Sequence, residues 1–306
     1  MSIQGPIATT HDDLEHHHVE ELDTPTPPGE TGPLDLPPKG TPHRLVVGLR
    51  NAFPPLVVSL LALGAWYFVT YVLLDESRRF LMPAPHEVLA VGFLEWENLV
   101  EMLEALWLSA QVAFVGLAVA IVLGMALAVA MSQARWIERS LFPYAVALQA
   151  VPILALVPLL GFWFGFSFTS RVIVCVIIAL FPIVTNTLFG LLSAERGQHD
   201  LMTLHGASRL TRLRKLQFPA ALPAIFTGFR ISAGLAVIGA IVGDFFFRQG
   251  QPGIGQLIDR YRARLLSEEL FAAIILSSLL GIVVFWFFGW LQQRVIGHWH
   301  EQARDH

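Results

Sequence analysis

From residue 53 onward the chain is a succession of long uncharged apolar runs separated by short polar interruptions. Residues 53–74 form the first, 22 residues without a charge, and at about 1.5 Å per residue that is enough to cross a hydrocarbon core of about 30 Å. Further runs predict spans at about 105–132, 141–165, 172–193, 224–247 and 270–292. The pattern therefore predicts an all-α polytopic membrane protein with six transmembrane helices. The third run contains Pro143, Pro152 and Pro158 together with Gln149, so that span is expected to be kinked or broken. The fourth carries Pro182 and Asn186, and the fifth is interrupted by Arg230 and Asp244.

Composition sharpens this picture. With 54% apolar and only 14% charged residues, an ordinary soluble domain is excluded. The single cysteine, Cys175, sits inside an apolar run, which leaves no disulfide framework and no cysteine metal site within one chain. The formal charge of −4 is unevenly spread, because acidic residues concentrate at residues 1–43 and in the loop after the first span. Residues 1–43 are acidic and proline-rich, with almost no apolar clustering, and are expected to be a disordered cytoplasmic tail without a cleavable signal peptide. His16, His17 and His18 within it read as a solvated polar run more readily than as a metal site. The six-span domain is expected over 44–298, followed by a tail at 299–306, with His298 and His300 as interfacial residues. His86-Glu87 opens like a zinc-protease HExxH, but Ala90 stands where the second histidine must be.

Basic residues beside the spans set the orientation. With the N-terminus inside, the cytoplasmic segments carry Lys39, Arg44, Arg50, Arg135, Arg139, Arg196, Arg209, Arg212, Arg214, Lys215, Arg294 and Arg304, 12 in all. The external segments carry Arg78, Arg79, Arg171, Arg248, Arg260, Arg262 and Arg264, which is seven. Both termini are therefore expected in the cytoplasm.

The most informative interruption is the cytoplasmic hairpin at about 195–219, whose core reads DLMTLHGASRLTRLRKLQFP from Asp200 to Pro219. Gly206 is expected to end one short helix in the left-handed conformation and let a second begin. Leu210, Leu213 and Leu216 then make an apolar stripe flanked by basic residues, and Pro219 and Pro223 mark the start of a new helix. An amphipathic helix lying on anionic lipid would show the same stripe. The spacing, however, resembles the coupling loop of binding-protein-dependent ABC importer permeases, whose pattern is EAA, three residues, Gly, nine residues, Ile-x-Leu-Pro. Gly206 and Pro219 match its glycine and proline, Leu216 and Phe218 stand in the Ile and Leu places, and Asp200, Leu201 and Met202 occupy the EAA positions. GASR, FPAALPAIFTGFRISAGLA and GIGQLI extend the likeness to the branch that imports nitrate, sulfonates, taurine or thiamine, pyrimidine and flavin precursors.

The resemblance implies a type I permease fold in a bacterial inner membrane. It also implies a second copy of the chain as a homodimer partner, an external substrate-binding protein, and separate ATPase subunits that hold ATP–Mg, with no cofactor in this chain and no nucleic acid. Asp200, Gly206, Ala207, Arg209, Arg212, Leu216 and Pro219 become the expected ATPase-coupling residues. Gly206 would be needed because a side chain there would lever the hairpin helices apart, and Arg209 and Arg212 would meet acidic ATPase residues.

Span five carries the remaining candidates. Ser232, Ala236, Ala240 and Asp244 recur every four residues on one face, beside Gly239 and Gly243. Small residues in membranes signal close helix packing, and the same face could line a translocation path, with Gln149 and Asn186 as further polar candidates. Asp244 either pairs with a basic residue of the next loop, such as Arg248, or meets substrate or binding protein. Arg230 can snorkel to the cytoplasmic interface. The following segment, with Arg260, Tyr261, Arg262 and Arg264, forms either an interfacial helix or a surface touching the binding protein. The only lysines, Lys39 and Lys215, lie outside any GxxxxGK[ST], so the chain is not expected to be an enzyme. A stand-alone secondary transporter or channel is the alternative, but it would need several intramembrane ionisable residues where Arg230 and Asp244 stand nearly alone.

Overall fold

A computed structural model describes the backbone of residues 44–296, and side chains from Phe53 onward. The expected tails at 1–43 and 299–306, with the His16–His18 run, His298 and His300, lie outside the described residues. The chain divides into two units, Met1–Pro55 and Leu56–His306, and among the described residues the first holds only the opening turns of helix α1.

Helix α1 is Arg44–Phe68, extended by a π turn at Val69–Leu73. A 3-10 turn at Glu76–Leu81 leads to the short α2, Pro85–Leu89. Then come α3 (Trp96–Gln133), α4 (Arg135–Ala150), α5 (Ile153–Phe164) and α6 (Phe168–Leu192). The hairpin holds α7 (Arg196–Leu204) and α8 (Arg209–Arg212), and a π segment, Leu213–Gln217, joins α8 to α9 (Phe218–Phe246). The external helix α10 is Ile254–Arg264 and the last span, α11, is Ser267–Ile296. Among the described residues five helices are long and apolar enough to cross a membrane, and the α4–α5 pair, bent by 100°, is either a broken sixth span or a re-entrant loop.

That bend lies where the third apolar run holds its middle proline. Pro152 disfavours helical geometry in the residue before it, and Val151 is extended at φ −71°, ψ 128°. Span five departs from expectation. It does not start afresh after Pro219, because the helix is already under way at Arg209 and runs 38 residues to Phe246, about 57 Å. The π segment accommodates the proline. The Phe218 amide reaches back five residues to the Leu213 carbonyl, so Pro219, which has no N–H to give, sits at a wider turn.

The core is built on the antiparallel pair α6 and α9, the most extensive contact in the molecule. Small residues step down their seam. A Cβ on Gly243 would sit 3.2 Å from the Arg171 backbone, one on Gly239 2.9 Å from Cys175 Cα, and one on Gly228 3.0 Å from the Pro182 carbonyl oxygen. On the other helix, a Cβ on Gly190 would sit 3.0 Å from Ala221. Between these steps Ser232 donates to the Ala179 carbonyl at 2.7 Å. Backbones this close gain dispersion contacts that lipid cannot match, the usual reason for small-residue seams in membranes. Helices α3 and α11 close the cluster through Val112, Leu117, Val284 and Phe288. Helix α1 stands apart, with most side chains from Leu56 to Leu73 exposed except Thr70, while Trp66 donates to the Pro83 carbonyl at 3.0 Å.

Candidate functional site

The elbow of the hairpin is set by backbone hydrogen bonds. The Ala207 amide donates to the Met202 carbonyl at 2.9 Å and the Gly206 amide to Thr203 at 3.0 Å, the paired 6→1 and 5→2 bonds of a Schellman cap. Gly206 takes φ +62°, as that cap demands. The levering role expected of Gly206 needs correction, because a Cβ there would meet no atom within 4 Å. Within this chain glycine is called for by backbone conformation and not by space. Ser208 then caps the next helix, its Oγ accepting from the Thr211 amide at 3.2 Å.

Side chains around the elbow divide into satisfied and open. Arg212 turns back, its Nε donating to the Ala207 carbonyl at 3.2 Å. Leu213 packs with Leu191, Ala221 and Ile225, and Leu216 and Pro219 line a cavity of about 400 Å³ closed by Val295 and Ile296 of α11. Asp200 and Arg209 are exposed, and Ala207 is half-buried. Leu201, Leu204 and Leu210 are 55%, 85% and 56% exposed, so the apolar stripe expected as a unit is split between the bundle and the outside.

At the opposite end of α9 lies a buried polar knot. Arg171 is 1% and Asp244 0% exposed, and Arg171 Nη1 lies 3.1 Å from Asp244 Oδ1. Nη2 donates to the carbonyl of Phe247 at 2.6 Å and reaches those of Gln249 and Gln251 at 3.3 and 3.4 Å. Ser109 of α3 donates to Asp244 Oδ2 at 2.5 Å and accepts from the Ile254 amide at 2.9 Å, and the Gly255 amide also donates to the Asp244 carboxylate. Charge neutralisation and the acceptors around both Nη atoms make the ion pair tolerable in hydrocarbon, while the buried Arg171 Nε has no hydrogen-bond partner among the described residues.

Two expectations are corrected here. Asp244 pairs with Arg171, not Arg248, which bonds Asp259 at 2.6 Å. Arg171, counted as an external loop residue, belongs to α6 and is buried. Its opposite charge at the same outer end of the neighbouring antiparallel span was the available signal, whereas Ser109 and the loop carbonyls leave none in sequence.

Ser232, Ala236 and Ala240 share Asp244's burial, at 0%, 1% and 1% exposure, against α6 and α3. Close packing within the chain is what this face does here. Asn186 is half-buried and donates to the Pro182 carbonyl of its own helix at 2.8 Å. Gln149 is exposed beside the α4–α5 bend, where an apolar cavity of about 480 Å³ opens between Leu127, Leu148 and Leu180. Arg230 lies over the Phe285 ring, 3.9 Å from its centre.

The external helix α10 is less cationic than its sequence suggests. Arg260 pairs with Glu101 of α3 at 2.6 Å, and Arg248 and Arg262 share Asp259 at 2.6 and 2.8 Å. Tyr261 is buried and donates to Glu101 at 3.1 Å. Burial first and the Glu101 charge second push its hydroxyl pKa well up. Ile254, Leu257 and Tyr261 seat α10 against α3 and α11, so it is a packed element and not a helix floating at the interface.

Comparison with known proteins agrees with this architecture. Residues 120–297 match the family described as "Binding-protein-dependent transport system inner membrane component". The chain is 34% identical over 237 residues to the formylaminopyrimidine transport permease protein ThiX of Halalkalibacterium halodurans, covering 77% of this chain and 91% of that one. It is 35% identical over 165 residues to the riboflavin transport system permease protein RibX of Chloroflexus aurantiacus, covering 54% and 60%. A crystal structure of an amino acid ABC transporter with histidines superposes with a TM-score of 0.51 at 16% identity, over 65% of this chain and 95% of that one, and supports the fold. With its membrane-crossing helices, its capped hairpin and these likenesses, the chain belongs to the binding-protein-dependent inner-membrane permeases and is a multi-pass, non-catalytic permease subunit of a bacterial ABC importer.

Proposed function

We propose that the elbow from Asp200 to Pro219 is the socket through which ATPase subunits holding ATP–Mg drive this chain, and that two copies enclose the path. The observation that carries this reading is continuity. The elbow leaves Leu201, Leu204 and Leu210 exposed, and the helix that begins three residues past Gly206 runs unbroken to Phe246. A push at Arg209 therefore travels along one helix across the membrane, a rigid-body route to alternating access. Asp200 and Arg209 offer exposed charge to the ATPase, while Ala207, Arg212, Leu216 and Pro219 hold the elbow in shape.

The path is proposed to pass Gln149 at the bend and Asn186. The face of Ser232, Ala236, Ala240 and Asp244 serves packing in this conformation. As cargo we favour a pyrimidine- or flavin-type heterocycle over nitrate or a sulfonate such as taurine. Three of the external arginines, Arg248, Arg260 and Arg262, are already paired with carboxylates, which weakens the electrostatic reason for an anion, and the permeases named for formylaminopyrimidine and riboflavin are among the relatives.

Co-purification tests the socket. Leu204→Asp places a charge where an apolar contact is proposed, and ATPase recovered with the permease is expected to fall at least tenfold. Undiminished recovery together with undiminished uptake would refute it. Mass spectrometry of the ligand carried by the cognate binding protein decides the cargo.

A further inference from the structure

The buried knot at the outer end of α9 does more than neutralise two charges. Of the groups Arg171 reaches, three are backbone carbonyls of one short connection, those of Phe247, Gln249 and Gln251. The carboxylate it neutralises is used in the same way. Asp244 receives Ser109 and the Gly255 amide, and Ser109 receives the Ile254 amide, so the first turn of α10 hangs from α3 and α9 together.

The connection has little else to hold it. Arg248, Gln249, Gly250 and Gln251 are exposed, and Gly250 adopts φ +89°. Phe247 is its buried apolar anchor, against Phe166, whose carbonyl accepts from the Gln249 amide at 3.2 Å. Gly253 and Gly255 let the backbone press onto the knot, because a Cβ on Gly253 would collide with the Asp244 carboxylate and one on Gly255 with the Ile241 carbonyl. A glycine-containing connection that would otherwise bend is thus fixed at five backbone groups, three carbonyls and two amides. Stability alone does not call for this arrangement, since apolar side chains of similar size generally serve a buried position as well as an ion pair does.

We infer that Arg171, Asp244 and Ser109 are positioning residues of the transport cycle: they weld the external helix α10 to the outer ends of α3, α6 and α9, so that motion arriving along α9 moves α10 instead of flexing the 247–253 connection. This rests on the coupling role proposed for the elbow, and the geometry of the weld itself does not.

The test separates welding from folding. The double variant Arg171→Met/Asp244→Leu removes both charges together and keeps apolar bulk, so the protein accumulates, but four of the five backbone groups lose their partners, the Ile254 amide alone keeping Ser109. In the reconstituted permease–ATPase complex, the ratio of binding-protein-stimulated to basal ATP hydrolysis is expected to fall at least tenfold. A spin label at Ala263→Cys on α10 is expected to gain mobility. Ser109→Ala, a small change that folds if the double variant does not, is expected to shift both readouts the same way, with about a threefold loss in the ratio. A variant that keeps the wild-type ratio and an immobile label, in either form, overturns the inference and leaves the pair a folding device. If wild-type complex shows no stimulation at all, the coupling reading of the elbow fails, while the label, read without any ATPase, still decides the weld.

Discussion

The two ends of α9 are finished in opposite ways. At the outer end every strong polar group of the knot is inside the chain, and Arg171 and Asp244 are both essentially inaccessible. At the inner end the backbone is satisfied by a Schellman cap, yet Leu201, Leu204 and Leu210 stand exposed. Local hydrogen bonds are enough to shape the elbow, but its apolar surface is left over, which in a soluble loop marks a place for another protein. The outer end is self-sufficient and the inner end is incomplete. A helix fixed at one end and offered at the other is suited to receiving force, and substitutions at the two ends should therefore fail differently.

The largest effect is expected from breaking the outer knot one side at a time. Asp244→Ala leaves Arg171 buried without its counter-charge, and Arg171→Met does the converse, each costing about 3–5 kcal/mol. Both should appear as loss of folded protein in detergent, measured by thermal melting or by recovery in size-exclusion chromatography. Next comes the seam. Gly239→Ala sets a methyl 2.9 Å from the Cys175 backbone, and forcing apart two packed helices costs about 1–3 kcal/mol, read again from melting. At the inner end stability should hardly register the change. Gly206→Ala meets no neighbour, so its cost is the left-handed conformation alone, about 1–2 kcal/mol confined to the elbow. Asn tolerates that conformation better, so uptake by Gly206→Asn should exceed uptake by Gly206→Ala, with similar melting for both. If the order reverses, strain is not what glycine relieves there.

How much of this was legible in the sequence follows the same division. Local signals were readable: the apolar runs, the glycine that turns the elbow, and the proline whose predecessor leaves the helix at Val151. Pro219 misled, because its effect is absorbed by widening the preceding turn to a π bond from Phe218 to Leu213, and nothing in the residues themselves announces that. The knot was the main loss. A lone arginine at the margin of an apolar run has the signature of a loop residue, and its partners are a carboxylate and backbone carbonyls 73 to 80 positions away. Pairing at that separation is a property of helix register, which hydrophobic pattern does not encode. The basic character of α10 misleads for a related reason, since its counter-charge Glu101 sits on α3, within the acidic stretch that follows the first span.

The smallest effect tests how firmly α10 is seated on that glutamate. Tyr261→Phe removes one hydrogen bond to Glu101 and nothing else, and because the Glu101 side chain is 44% exposed the loss should be about 1 kcal/mol or less. The pH dependence carries more information than the size. Burial and the Glu101 charge raise the tyrosine pKa in the folded protein above its ordinary value of about 10. The stabilisation is therefore complete below pH 10 and is lost as pH climbs beyond it, because the unfolded chain then releases a proton that the folded chain retains. Melting of wild type and Tyr261→Phe compared at pH 8 and at pH 11 isolates this group, since other alkaline effects are common to both. The wild-type advantage should shrink or vanish at the higher pH. A gap that stays constant would mean that Tyr261 is not held protonated against Glu101, and that α10 is anchored at this point by Ile254 and Leu257 alone.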